Sequence, residues 1–400
     1  MMHSVSSLEE SSDVSPTSTQ SVSAGLMEVA QPIPSQDAVD VRGALHQALP
    51  GFIQPVITLI SGKPYQGERP RKWTAGGHVL QAWLLLLTGI FLSAVSLRAG
   101  AYWAIPIGWA MTLSCVRKLQ VVIMHHCSHR NVFKDGRWDS VLGTTISIVL
   151  VVKAFWQYRK DHALHHSNER LLTASDETIQ FLTGYSNLAA GLPKRDLWRR
   201  LLIGLLSPFF HLRWLLDRLS SCFCSKYTLH NLIAFTFWGL VLWGVGHAGL
   251  WLEFVVAYVI PATLLYNISA TLRLAAEHRF PDDATLMLTR DKRFVCRTTV
   301  AVFLASPPPA QGSWVAWLRW SGEMAAHLLA RVCVLVGDTP CHDFHHRHPN
   351  SHDWVDYIHA RDADAALGAP GFPEPYLEEW GLIRAIDCNL KSMSLTRRIG

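Results

Sequence analysis

The stretch from Val79 to Leu97 reads VLQAWLLLLTGIFLSAVSL, nineteen residues without a charge. At about 1.5 Å of rise per residue, such a run crosses a hydrocarbon core of about 30 Å as a single helix. Only Arg98-Ala99-Gly100 separates it from a second apolar run, Ala101 to about Val122, so the two read as a tight hairpin. Leu232–Leu252 and Phe254–Leu272 repeat the pattern, with a turn in the Gly244–Gly249 region and Pro261 as an expected kink. The fold class that follows is all-α integral membrane, with four transmembrane helices in two hairpins.

Composition agrees with that reading. Hydrophobic residues make up 49% of the 400-residue chain and charged residues 17%, against about 25% charged in an average soluble domain. The net charge of +5 is modest and its basic residues are spread through loops. This excludes a nucleic-acid footprint and favours a membrane surface. The eight cysteines form no CxxC pair, so they read as reduced structural thiols.

Basic residues set an expected orientation. Lys63, Arg69, Arg71 and Lys72 precede the first run. Arg130, Lys134, Arg137, Lys153, Arg159, Lys160, Lys194, Arg195, Arg199 and Arg200 lie between the hairpins. The positive-inside rule then puts both termini and the segments between hairpins in the cytoplasm. Met1 to about Ser35, rich in Ser, Thr and Gln and without a secretory signal pattern, reads as a disordered tail. The expected parts are an N-terminal cytoplasmic tail over 1–70, a membrane catalytic domain over 75–360 and a C-terminal cytoplasmic tail over 361–400. Val141–Val152 is too short to span and reads as a half-buried or re-entrant helix. Leu201–Leu216 and Trp314–Trp320 read as interface helices, and the chain from His348 onward as a polar, irregular cap.

The chemistry sits in clusters among the 20 histidines. His125-His126-Cys127-Ser128-His129 follows the second span. In a helix His125 and His129 stand at i and i+4 on one face, close enough to share a metal. His162-Ala163-Leu164-His165-His166 places histidines at i, i+3 and i+4, and His342-Asp343-Phe344-His345-His346 repeats that spacing after the second hairpin. Imidazole suits iron, zinc or copper, so ligand type leaves the metal open. Eight box histidines exceed the coordination sphere of one ion and imply two. A zinc protease is excluded by the missing HExxH string.

The boxes HxxxH, HxxHH and HxxHH, in the order hairpin, box, box, hairpin, box, resemble the membrane fatty acid desaturase and hydroxylase superfamily over residues from about 75 to 360. That resemblance implies a histidine-rich cytoplasmic catalytic cap holding a non-haem diiron centre (two Fe), with O₂ as co-substrate. It implies metal ligands His125, His129, His162, His165, His166, His342, His345 and His346. By likeness to a lone histidine that follows the fourth span in the family, it adds His278 in Ala275-Ala276-Glu277-His278 as the ninth. The implied activity is oxidation of an unactivated C–H bond in a fatty acyl lipid. Removal of a second hydrogen gives desaturation; a hydroxylase, ketolase or decarboxylating oxygenase on the same scaffold is the alternative, and a non-enzymatic metal carrier the more distant one.

Two positions depart from the family pattern. His126 stands where members often carry an acidic residue, leaving a supporting or extra-ligand role open. Leu274 stands where a relative places an asparagine one turn before the lone histidine. The His-Pro-Gly-Gly of a fused cytochrome b5 domain is absent, so electrons are expected from a separate ferredoxin- or cytochrome b5-like protein. Asp161, Glu277 and Asp343 neighbour the proposed ligands and are expected either to accept ring N–H groups or to be solvated caps. Trp103, Trp109 and Trp156 are expected along a substrate tunnel.

Overall fold

The computed structural model describes residues 40–70, 73–310 and 312–396, with the side chains of Asp283 and Ala284 left aside. The tail expected over Met1–Ser35 lies outside the described residues, as do Arg71 and Lys72.

Four helices among the described residues are long and apolar enough to cross a membrane: Ala75–Arg98, Tyr102–Ser128, Thr228–His247 and Trp251–Glu277. The first starts where Thr74 Oγ1 accepts the Gly77 N–H at 3.0 Å, a capping bond that satisfies a donor with no partner inside the helix. Its hairpin with the second span closes on small residues. A Cβ on Gly89 would stand 2.8 Å from the backbone nitrogen of Thr112, and one on Gly108 2.8 Å from the carbonyl of Gly89. Lipid supplies little hydrophobic drive between helices, so backbone approach of this kind is what holds them.

The expected kink at Pro261 takes a different form. The fourth span widens into π-helical turns at Val255–Val259 and Pro261–Leu265 and continues as α-helix from Tyr266. Proline lacks the N–H for the ordinary ladder, and a wider turn absorbs the loss. Side chains take up carbonyls along the way: Trp109 Nε1 donates to Val256 O at 2.7 Å and Arg218 Nη1 to Ala262 O at 2.9 Å.

The short helix expected around Val141–Val152 runs from Gly136 to Val149. Its last carbonyls are each taken by a side chain. Trp238 Nε1 donates to Ile148 at 2.8 Å, Tyr258 Oη to Val149 at 2.5 Å, and Arg218 Nη2 to Leu150 at 2.6 Å. A helix end away from water needs such donors. The segment Leu201–Leu216 is two helices, Lys194–Leu206 and Pro208–Phe223, broken at Ser207-Pro208. Their exposed Leu202, Leu206, Phe209 and Leu212 form the apolar side expected of interfacial helices. Trp314–Cys333 is a full helix, longer than the Trp314–Trp320 expected.

Both expected tails contribute folded structure. Val41–Ala48 and Gln54–Ser61 are helices, and buried Arg42 donates to Gln54 Oε1 at 2.8 Å and Thr58 Oγ1 at 2.9 Å. Ile57 and Ile60 pack with Ala305 and Met324. At the other end, Glu378–Trp380 pairs in parallel with Ala301–Phe303. Helix Leu382–Leu395 lies against the end of the fourth span, with Asn389 Nδ2 donating to Ala275 O at 3.1 Å and Ala276 O at 2.8 Å. Long polar loops hid these segments, because their apolar faces are short and meet partners far away in sequence.

Candidate metal centre

A π-helical turn over Leu119–Met124 ends the second span and leads into His125–Ser128. Such turns add a residue to the helical repeat and often mark functional sites. The second box closes helix Phe155–His165, and the third forms helix His342–Arg347 after the 3₁₀ turn Thr339–Cys341. His278 caps the fourth span in extended backbone and pairs with Thr299 across an antiparallel bridge.

These elements bring all nine histidines together in two groups. His125, His129, His162, His166 and His345 form one; His165, His278, His342 and His346 form the other. Within each group the ligand atoms all lie within 4.8 Å of one another. Each i, i+4 pair stays in one group: His125 with His129, His162 with His166, and His342 with His346. The remaining histidine of the second and third boxes crosses over, so His165 joins the pair from box three and His345 joins the pairs from boxes one and two.

The nitrogens face inward. His125 Nε2 lies 2.8 Å from His345 Nε2, which lies 2.8 Å from His166 Nε2; His166 is 3.0 Å and His129 2.9 Å from His162 Nε2. In the second group His346 and His342 approach to 3.1 Å through the same atoms. A metal–nitrogen bond of ~2.1 Å sets adjacent ligands of one ion roughly 3.0 Å apart. His125 directs Nδ1 at the Val121 carbonyl, 3.2 Å away, which leaves the Nε2 lone pair pointing at the cluster. Converging lone pairs repel unless a cation lies among them. Among the described residues, both ring nitrogens of buried His278 and Nδ1 of buried His345 have no hydrogen-bond partner. The donor set therefore fits two metal ions.

Burial and neighbouring imidazoles push His129 down to about 3, and burial with His165 does the same to His278, also to about 3. Burial holds His162, His166, His342, His345 and His346 far below the ordinary range. Neutral imidazole is the ligand form. His165 differs. Burial lowers it, but Asp176 overrides that and leaves it raised.

Asp176 was not singled out in the sequence. It caps helix Glu177–Gly184, accepting from Thr178 N at 2.8 Å and Leu172 N at 2.7 Å, and its carboxylate lies 3.0 Å from His165 Nδ1. The three acidic neighbours, expected to accept ring N–H groups or to be solvated caps, are divided by the structure. Asp161 binds Lys153 and Gln157, Asp343 forms a buried pair with Arg361, and Glu277 lies 3.0 Å from Arg273 with Oε2 3.8 Å from His342 Nε2. Asp161 and Asp343 thus face away from the ligand rings, and Glu277 alone stays beside one. The Ser175-Asp176-Glu177 capping pattern was the one available signal.

His126 belongs to neither group. It is fully buried, 2.7 Å from Asp338 Oδ2, and stacked on Trp354. A cavity of about 550 Å³ opens beside the second span, lined by Pro106, Trp109, Leu113, Leu265, Cys333 and Leu382 among others. Of the three expected tunnel tryptophans only Trp109 lines it; Trp103 and Trp156 are exposed.

A family model described as fatty acid desaturase matches residues 101–320. The match takes in the first two boxes and His278 and ends before His342. None of the curated proteins compared matches the chain.

Proposed function

The chain belongs to the fatty acid desaturase family, and from that premise we propose that it carries out O₂-dependent oxidation of an unactivated C–H bond in a fatty acyl chain at a histidine-ligated diiron centre. Desaturation is the preferred outcome. The observation that carries this reading is the division of nine histidines into groups of five and four, each converging on one point.

His125, His129, His162, His166 and His345 would hold one iron; His165, His278, His342 and His346 the other. Bound there, two irons supply the activation of O₂ that no side chain provides. The chain's own residues prepare the site. Asp176, an acceptor only, holds the Nδ1 proton of His165, so that Nε2 turns its lone pair to the second group. Burial of the box helices keeps bulk water from the reacting carbon. The apolar cavity at Trp109 and Leu265 has the chemistry to take an acyl tail. The positive-inside pattern supports a cytoplasmic centre, with both termini on that side and electrons arriving from a separate ferredoxin- or cytochrome b5-like donor.

A hydroxylase, ketolase or decarboxylating oxygenase would use the same ligands, so products separate these outcomes. The test pairs metal analysis of the purified protein with mass spectrometry of lipids from cells with and without it. The expected result is about two irons per chain and new unsaturated acyl chains. One stoichiometric zinc with no change in lipids overturns the proposal; hydroxylated products would move it to the alternative.

A further inference from the structure

His126 interrupts the first box without joining either metal group, and its surroundings give it a use. Its ring lies 4.9 Å from that of His125 at an interplanar angle of 29°, and 5.0 Å from the indole of Trp354 at 19°. Trp354 lies 5.8 Å from His78, which lies 5.3 Å from Trp73. Trp354 is 3% exposed and Trp73 is 47% exposed. An unbroken file of rings thus runs from the surface to a proposed ligand of the five-histidine group.

Three rings of the file, His126, Trp354 and His78, are held by polar contacts. Asp338 Oδ2 lies 2.7 Å from His126 Nε2, Trp354 Nε1 donates to the Asn131 carbonyl at 3.2 Å, and Lys118 Nζ lies 3.0 Å from His78 Nδ1. A buried imidazole, an indole and an ammonium in one strip cost desolvation, and packing alone would be served by apolar residues. Trp73 also stands on the right side. It precedes the first span, and the first box follows the second, so one hairpin returns the chain to the same end.

We propose that Trp73, His78, Trp354 and His126 form the route by which single electrons enter the metal centre from a one-electron protein donor of the iron–sulfur or haem class. This rests on the diiron reading above. Electron tunnelling falls exponentially with separation, so contact between successive π systems favours this route over the aliphatic packing around it. Each passage moves one electron from the reduced donor to the metal group and leaves the rings unchanged. Two passages per turnover balance the reaction: –CH₂–CH₂– + O₂ + 2e⁻ + 2H⁺ gives –CH=CH– + 2H₂O. Oxygen is reduced and the acyl chain oxidised. A second file, His348–Phe344–Tyr357, reaches His345 at 6.2 Å and meets His126 at 5.3 Å; it lacks an indole, and Phe344→Leu tests it separately.

The test injects electrons at the surface end. In a Cys224→Ser background, which removes an exposed thiol, Trp73→Cys carries a ruthenium polypyridyl label, and flash photoreduction of the metal centre is followed optically without O₂. Adding Trp354→Leu should slow reduction by an order of magnitude or more, with iron content unchanged and the rate with free dithionite unchanged. Trp354→Phe should recover part of the loss. His126→Leu, tested the same way, keeps the question answerable where Trp354→Leu misfolds. An unaltered flash rate in iron-loaded Trp354→Leu or His126→Leu overturns the route, as does a loss seen with Phe344→Leu instead. Parent protein without iron would count against the diiron reading rather than the route.

Discussion

His165 Nδ1 lies 3.0 Å from Asp176 Oδ1, and both residues are buried. The carboxylate also closes the turn at Leu172 and caps the following helix, so one side chain fixes a proposed ligand's tautomer and the loop that presents it. Asp176→Asn keeps the shape but removes the charge that makes Nε2 a strong donor. We expect a loss of about 10–100-fold in metal affinity or activity, the range typical for such supporting carboxylates. Chelator competition followed by metal analysis reads this. Wild-type affinity in the variant would leave Asp176 a helix cap and nothing more.

The crossing of the boxes makes a sharper prediction about single ligands. His345→Ala removes a member of the five-histidine group, and His346→Ala one of four. Each should lower iron from about two per chain toward one and abolish turnover, while the four spans keep the protein in the membrane. The smaller group should suffer more, so His346→Ala is expected to lose its iron at lower chelator concentration than His345→Ala. Retained turnover in either variant removes that residue from the ligand set.

The buried pair of Arg361 and Asp343 supports the third box from behind. Three nitrogen–oxygen contacts of 2.8 to 3.0 Å join them, and Arg361 Nη1 reaches Glu378 at 2.9 Å. Arg361→Ala would strand a carboxylate next to His342, a change that costs about 3–5 kcal/mol. The expected readout is earlier thermal unfolding in detergent together with loss of iron from the four-histidine group. Arg361→Lys should recover only part, because an ammonium cannot make the paired contact. Unfolding unchanged in Arg361→Ala would show that the carboxylate finds water there.

Much of this was legible in the residues. The spans follow from long apolar runs, the first of them nineteen residues without a charge, more than a soluble helix needs. The ligand pairs follow from i, i+4 spacing, which keeps His162 with His166 and His342 with His346. His165 and His345, at i+3, share the same helical face by spacing, so their place in the opposite group came only with the structure. Asp176 offered only its capping pattern, and Asp338 and Trp354 offered no signal, because each meets its histidine through a turn or a long-range contact that no periodicity encodes. The helices at 41–61 and 382–395 were missed because their partners, Met324 and the end of the fourth span, are more than a hundred residues distant.

The sequence places Arg130, Lys134, Arg137, Lys153, Arg159 and Lys160 between the hairpins, and the structure divides them. Lys153 is engaged by Asp161 at 2.8 Å and Glu177 at 2.6 Å, and Arg159 lies over the Trp156 ring. Arg130 and Lys134 sit on a tight turn with left-handed backbone, φ 61° and 57°. Arg130 directly precedes Asn131, whose carbonyl accepts from Trp354. An acidic donor held at this turn would therefore be close to the aromatic file. Like-signed surface charge speeds encounter with an oppositely charged partner and makes it salt-sensitive. Reversing Arg130 and Lys134 to Glu should slow reduction by reduced [2Fe–2S] ferredoxin and flatten its dependence on salt, with span orientation and dithionite reduction unchanged. Rates that match wild type across the salt series would leave these two residues with the topological role that positive charge beside a span already has.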